Sequence, residues 1–284
     1  MPSTIDLRRR IRSVGNIRQI TRAMKMVAAA RLRRSQERMF QFRPYSDKML
    51  EVLQSLAART RPEEHPLLAK REEKRICLLI ITADKGLCGS FNNNIIKKAT
   101  SFLKEYQDRD LSLFPVGRKC TAYFKRRPYP IRHQIVDLFH KLSYDHTVYI
   151  SKQIVRDYTE QTVDAIYLVY NEFKNILQQR LMVKKLLPIE KLVAEEESGL
   201  TEYIYEPQEK EIFSALLPRH IEVQVHRALL ESGAAENGAR MSAMESATNN
   251  STDLMESLTL TMNKIRQASI TKEIIEVVSG SEVQ

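Results

Sequence analysis

The loop Asp84–Ser90 is the segment of this sequence whose residue types come closest to active-site chemistry. It follows the buried-strand pattern Ile76–Ile81 and precedes a helical pattern, which is where phosphate-binding loops occur. It contains two glycines but neither Gly-x-Gly-x-x-Gly nor Gly-Lys-Ser/Thr, so a tight structural turn is favoured over nucleotide binding. Cys88 in this loop is a candidate nucleophile, but no base is identifiable beside it, which favours a buried thiol.

The histidines and cysteines of the chain do not form a recognisable catalytic or metal site. Six histidines are scattered without a His-Glu-x-x-His pattern: His65, His133, His140, His146, His220 and His226. Cys77, Cys88 and Cys120 are unevenly spaced, so they predict neither a metal-ligand pair nor a disulfide set, and they suit reduced thiols in the cytoplasm. The sequence therefore predicts no catalytic residue, no cofactor and no metal.

The positive charge of the chain is concentrated at its N-terminus. Residues 1–43 carry twelve Lys or Arg against Asp6 and Glu37, a net charge of +10 that equals the net charge of all 284 residues. The rest of the chain is neutral. A cationic rod on a neutral body indicates an anionic partner for the rod.

Composition and length exclude several classes of protein. Apolar content is 43%, which is normal for a soluble protein, and no apolar run approaches the roughly 20 residues that span a bilayer. The arginine-rich start resembles a transit peptide. We nevertheless interpret it as structure, because the arginines interleave with an apolar seam that continues beyond a cleavable length.

Residues 1–60 are predicted to form a coiled-coil helix. Ser3 and Asp6 provide a helix start, and residues 3–43 contain no proline. Pro44 predicts a bend or a restart, after which residues 48–59 resume the helix. The apolar seam has steps of three and four residues and comprises Leu7, Ile11, Val14, Ile17, Ile20, Met24 and Val27.

Residues 74–208 are predicted to form a central Rossmann-like α/β domain after a polar linker. Strands are expected at 76–81, 111–116, 165–170 and, at the edge, 180–187, with helices at 92–107, 119–126 and 151–162. Strands that alternate with helices in this order indicate a small doubly wound sheet with right-handed crossovers.

Residues 209–284 are predicted to form a second coiled-coil helix, with an unbroken pattern from 219 onward. Its middle, residues 233–247, is rich in Gly, Ala and Ser, which let a neighbouring helix approach closely. Because single long helices are marginal in water, the two terminal helices are expected to pair as a long antiparallel coiled coil. The apolar end at Ile274, Ile275, Val277 and Val278 would project and must be enclosed by another molecule.

These patterns favour an interaction protein, with two alternatives left open. A basic coiled-coil nucleic-acid-binding protein would share the charge, although residues 1–39 contain none of the aromatics that such proteins usually interleave. A Rossmann-like enzyme would bind nucleotide through the segment 74–208.

Four motifs carry a resemblance to a known family. Taken together, they resemble the gamma subunit of the F-type ATP synthase, in the order in which that family has them and over essentially the whole chain. The motifs are Ile20-Thr-Arg-Ala-Met-Lys-Met-Val-Ala-Ala29, Thr82-Ala-Asp-Lys-Gly-Leu-Cys-Gly89, Ala239-Arg-Met-Ser-Ala-Met-Glu-Ser-Ala-Thr-Asn-Asn250 and Asn263-Lys-Ile-Arg-Gln-Ala-Ser-Ile-Thr-Lys-Glu-Ile274.

The resemblance implies a non-catalytic rotor shaft. In that family the two terminal helices form a coiled coil inside a ring of three alpha and three beta subunits, while the α/β domain grips the epsilon subunit and the membrane c-ring. Rotation couples ion flow to ATP synthesis or hydrolysis in the beta subunits, and the shaft influences both ATPase activity and proton flow. No nucleic acid and no small-molecule substrate are implied.

The resemblance also implies roles for individual residues. Arg9, Arg10, Met24 and Lys25 would face acidic lever loops of the beta subunits, and Arg266, Gln267 and Thr271 would make polar beta contacts near an upper bearing. Tyr203, Tyr205 and Glu206 would meet the membrane ring, and Ile274, Ile275, Val277 and Val278 would turn in an apolar collar.

Two features depart from parts of that family. The tail Val278–Gln284 lacks the common Gly-Ala-rich ending, and the central domain lacks the cysteine pair of the chloroplast type, so redox gating is not expected. Because no transit peptide is recognised, a bacterial type is expected, peripheral on the cytoplasmic face of the plasma membrane.

Overall fold

The computed structural model describes residues 3–59, 65–140, 142–175, 178–189 and 209–281. The chain divides into two compact units. We call residues 1–29 with 240–284 the coil unit, and residues 30–239 the sheet unit. Two long helices, α1 (Thr4–Arg59) and α5 (Glu209–Ser281), contribute to both units, so each is described within its own unit below.

Within its described residues, the sheet unit has four strands and three shorter helices. In chain order they are β1 (Arg75–Ile81), α2 (Phe91–Glu105), β2 (Asp110–Val116), α3 (Arg118–Phe124), a 3-10 turn (Leu138–His140), α4 (Tyr144–Thr159), β3 (Ala165–Phe173) and β4 (Gln179–Leu187). The strands lie in the order β2-β1-β3-β4, in which β1 is parallel to both neighbours and β4 runs antiparallel to β3. The predicted α/β class is confirmed.

Strand β1 lies between β2 and β3, and both of its faces are covered by other elements. Cys77, Leu79 and Ile81 belong to the core that α1, α4 and α5 build on one face, through side chains such as Leu53, Tyr158 and Leu229. The alternate residues Ile76, Leu78 and Ile80 point to the opposite face, and α2 packs against β1 and β3. A strand buried on both faces reads as a continuous apolar run.

One predicted helix start in the sheet unit was wrong. Helix α4 begins at Tyr144 rather than at 151, because Ser143 and His146 form a reciprocal capping box. Helix α1 does not restart after Pro44, because it is continuous over Thr4–Arg59, and a bend at Pro44 stays a prediction. Helix α5 begins at Glu209, so Pro218 lies inside it.

In the coil unit, the apolar seam of α1 follows a different register from the predicted one. Leu7, Thr21 and Ala28 are buried, and positions 11, 14, 18 and 25 between them are half-buried, which is a regular heptad pattern. The predicted seam agrees as far as Val14 and then departs from it. Ile17, Ile20 and Val27 are 50%, 59% and 53% exposed.

Gly15 shows how closely the two helices of the coil unit pack. A Cβ atom at this position would lie 3.7 Å from Met255 Cε, an ordinary van der Waals contact. Gly15→Ala should therefore fit, and it should stabilise the coil unit by about 0.5–1 kcal/mol, because alanine loses less conformational entropy than glycine in a helix. Slower amide exchange across residues 8–22 of the purified chain would support this expectation, and faster exchange would contradict it.

Candidate functional site

Polar pairs lie across the coil unit where the heptad pattern predicts apolar ones. The Thr248 hydroxyl lies 2.8 Å from Thr21 Oγ1, and Lys25 Nζ lies 2.6 Å from Glu245 Oε1. Because residue numbers rise along α1 while their partners' numbers fall along α5, the segments are antiparallel. The Lys25–Glu245 pair is partly exposed, so it contributes about 0.2–1 kcal/mol and mainly fixes the register of the two helices.

A cationic groove lies beside these pairs. Arg18, Gln19 and Arg22 line it from α1, and Asn249 and Thr252 line it from α5. Arg18 and Arg22 form no ion pair with any residue that the structure describes. Guanidinium and amide donors suit a carboxylate-bearing partner. Asn249 and Thr252 were missed as lining residues, because only the pairing of the helices reveals which residues of α5 face Arg22.

The four residues predicted to meet beta-subunit levers all lie on α1 in the coil unit. Arg9 and Arg10 are exposed, whereas Met24 and Lys25 are half-buried. Lys25 is already paired with Glu245, so an incoming carboxylate would share this cation with Glu245.

The second group of predicted beta-subunit contacts lies further along α5 in the coil unit. Arg266, Gln267 and Thr271 are exposed on α5, and the Thr271 hydroxyl donates to Gln267 O at 3.0 Å. At a rise of 1.5 Å per residue, Arg266 lies about 30 Å along α5 from Glu245. The structure therefore separates two polar surfaces that could contact different parts of a partner.

The apolar end of α5 is exposed. Ile274 and Ile275 are each 58% exposed, and Val277 and Val278 are 73% and 52% exposed. Four large apolar side chains within five residues form a patch of the kind that marks a binding surface. Tyr203, Tyr205 and Glu206, the predicted ring contacts, lie outside the described residues.

At the carboxyl end of β1, Asp84 binds the protein's own backbone. Its carboxylate accepts hydrogen bonds from the backbone N–H groups of Arg118 (3.0 Å), Asp137 (2.8 Å) and Phe139 (3.2 Å). This edge of a parallel sheet is where α/β enzymes usually hold ligands. Here three backbone N–H groups of the chain itself already donate to the Asp84 carboxylate.

The cysteines of the sheet unit are buried. Burial raises the pKa of Cys77 and of Cys120 to about 12, so both remain thiols at neutral pH. Cys88 Sγ lies 3.2 Å from Asn92 Nδ2. Within the described ranges, no three His, Cys, Asp or Glu side chains are grouped as a metal site requires, and no helix is long and apolar enough to cross a membrane.

Comparison with known proteins identifies the family. The family model described as ATP synthase matches residues 3–283. The ATP synthase gamma chain of Pelotomaculum thermopropionicum is 46% identical over 281 residues, and that of Solibacter usitatus is 47% identical over 285 residues; each alignment covers 99% of both chains. The chain belongs to the ATP synthase gamma chain family.

Solved structures agree with this assignment. A chain from the central stalk and c-ring of the Tetrahymena thermophila mitochondrial ATP synthase is 28% identical with a TM-score of 0.62, covering 80% of this chain and 99% of that one. A chain of the Euglena gracilis mitochondrial ATP synthase, 22% identical, has a TM-score of 0.69 and covers 99% of this chain and 94% of that one. The latter likeness supports the fold of the gamma chain.

Proposed function

We propose that this gamma chain is the central rotor shaft of an F-type ATP synthase, turning inside a ring of three alpha and three beta subunits and coupling ion flow to ATP synthesis or hydrolysis. The observation that carries the proposal is the full-length match to bacterial gamma chains. Its further partners are the epsilon subunit and the membrane c-ring. The nucleic-acid-binding alternative receives no support from these relatives.

Different segments of the chain have different proposed roles. Residues 1–60 and 209–284 supply the coiled-coil shaft, and residues 74–208 supply the foot. Arg9, Arg10, Met24 and Lys25 face acidic loops of the beta subunits, a role supported by the exposed arginines and by the cationic groove beside Lys25.

The remaining contacts are proposed at the ends of the shaft. Arg266, Gln267 and Thr271 make polar contacts with the beta ring, and the patch Ile274–Val278 turns within an apolar collar. Apolar contact suits rotation because it lacks directional hydrogen bonds that would hold one angle. Tyr203, Tyr205 and Glu206 are proposed to contact the c-ring.

We also propose that the gamma chain performs no bond chemistry and acts at the cytoplasmic face of a bacterial membrane. The backbone donors gathered on Asp84 support the first statement, since they occupy the sheet edge that a nucleotide-binding enzyme would use. The bacterial origin of the similar gamma chains supports the second.

Co-purification from membranes tests the proposed function. The tagged chain is extracted with mild detergent, its partners are identified, and ATPase activity is assayed with and without residues 264–284. Recovery with alpha, beta and epsilon subunits in an active ATPase is expected. Recovery of the chain alone, or with nucleic acid, would overturn the proposal.

Met24→Lys should impair coupling more than assembly. The substitution places a second cation beside Lys25, strengthens attraction to acidic levers and slows their release. A loss of about twofold to fivefold in ion pumping per ATP is expected, because such exposed charge contacts contribute roughly 0.5–1 kcal/mol. Met24→Leu, which conserves volume, is the control. Equal pumping-to-hydrolysis ratios for the two variants would contradict this contact.

A further inference from the structure

A buried carboxylate lies in the sheet unit where α1, α5 and β3 meet. Glu231 on α5 is fully buried, and its Oε1 accepts a hydrogen bond from Arg227 Nε at 3.1 Å. Arg43 Nη2 on α1 lies 3.8 Å from the same oxygen. Arg227 also donates to Asp47 Oδ1 on α1 at 3.1 Å. We call these four residues, Arg43, Asp47, Arg227 and Glu231, the Glu231 junction.

Arg43 connects the junction to the sheet. Its Nη2 donates to Phe173 O at 3.3 Å, and Phe173 is the last residue of β3. One guanidinium therefore reaches from α1 to both α5 and the end of a strand. The hydrogen bond to Phe173 O is directional, whereas the 3.8 Å contact with Glu231 is an ion pair. Together with the hydrogen bond from Arg227 to Asp47, these contacts hold α1, α5 and β3 to one another.

Stability alone does not explain a carboxylate at this place. Removing a charge from water is costly, and buried ion pairs are often no more stable than apolar side chains of similar volume. Burial raises the pKa of Glu231, although Arg227 and Arg43 act in the opposite direction. Within the described residues, Glu231 Oε2 and Arg43 Nε are also buried without a hydrogen-bond partner.

The stretch of α5 that follows Glu231 offers little shape to define the register of the helices. The residues that follow Glu231 are Ser232, Gly233, Ala234 and Ala235, all of them small and all buried. Small side chains form shallow ridges, so neighbouring helices could slide or turn against them with little loss of packing. A directional charged contact would prevent that movement.

We infer that the Glu231 junction fixes the rotational register of α1 and α5 against the sheet, so that torque applied to the sheet unit reaches both helices without slip. Glu231 and Arg43 are positioning residues in this inference, which rests on the proposed shaft function. Their charge and geometry matter more than their contribution to stability.

The test compares Glu231→Gln with a matched control in the complete complex in sealed vesicles. Glu160→Gln is the control, because Arg156 Nε and Glu160 Oε1 form the same i,i+4 pair at 2.9 Å on the surface of α4. The readouts are the ATP hydrolysis rate and the membrane potential generated per ATP, reported by a voltage-sensitive dye. The second readout does not depend on which ion is pumped.

Glu231→Gln should lower the potential generated per ATP by about threefold, within the range by which single residues alter coupling, while hydrolysis per assembled complex is retained. Glu160→Gln should match wild type. Arg43→Lys, which keeps the charge but shortens the side chain and removes the planar guanidinium, should give a smaller loss. It serves as the test variant if Glu231→Gln fails to assemble.

The outcomes separate this inference from the proposed function. If wild type pumps and both junction variants match Glu160→Gln in potential per ATP, the register role is wrong and the shaft function stands. If the wild-type chain does not join an ion-pumping ATPase at all, the shaft function itself is wrong.

Discussion

Gly117→Ala should strongly destabilise the sheet unit. A Cβ atom at Gly117 would clash with the backbone oxygen of Thr82, at a separation that real Cβ atoms essentially never show. The glycine has φ of 101°, in the left-handed half of backbone space that alanine avoids. The carbonyl cannot move aside easily, because Thr82 N donates to Val116 O, and Gly117 N donates to Ile135 O.

The expected loss is about 4 kcal/mol or more, since backbone strain alone costs about 1–3 kcal/mol and the clash adds to it. That is a large part of the roughly 5–15 kcal/mol that stabilises a domain. Gly86→Ala is the control in the same sheet edge, because its added Cβ would meet only the Lys119 side chain, at 3.8 Å. Hydrogen exchange of the β1 amides should accelerate strongly in Gly117→Ala only; equal protection in both variants would contradict the clash.

The sheet was predictable because burial on both faces leaves a strong signal. The expected strands 76–81 and 111–116 differ from β1 and β2 by one residue at one end. Helix α4 was predicted seven residues late because its cap uses His146, where a glutamate or glutamine is the usual signal.

The coil seam was predictable only as far as Val14. The next three seam positions are Arg18, Thr21 and Lys25, all polar or charged. The apolar side chains Ile17 and Ile20 face outward instead. Thr21 and Lys25 can occupy the seam because Thr248 and Glu245 on the other helix satisfy them. A pattern that counts only apolar residues cannot find a seam that depends on such partners.

Long-range polar contacts could not be predicted from the sequence either. Asp84 lies in a recognisable motif, but its three donors lie 34 to 55 residues away along the chain. Arg43 and Glu231 are separated by even more of the chain, and nothing local distinguishes them from surface charges. Family resemblance identified the shaft, while the fold was needed to show how the helices are held to the sheet.

Truncation after Asn263 is the second change from which we expect a large effect. It removes Arg266, Gln267 and Thr271 together with the patch Ile274–Val278, whose four large side chains are each more than half exposed in the isolated chain. Burying such a side chain in a collar would contribute about 1.5–3 kcal/mol at most. Losing all four should weaken assembly, and losing the polar contacts should reduce the torque that the beta subunits can apply.

Ion pumping per assembled complex should fall by at least about fivefold. This factor corresponds to about 1 kcal/mol of lost coupling free energy between hydrolysis and pumping. Truncation after Val278 is the matched control, because it removes the divergent tail and keeps both contact groups. If that control behaves as wild type while the longer truncation loses pumping and stall torque, the end of α5 acts as a bearing. Full activity in the longer truncation would mean instead that residues up to Asn263 carry the torque without the end of α5. The apolar end would then have no role in torque transmission.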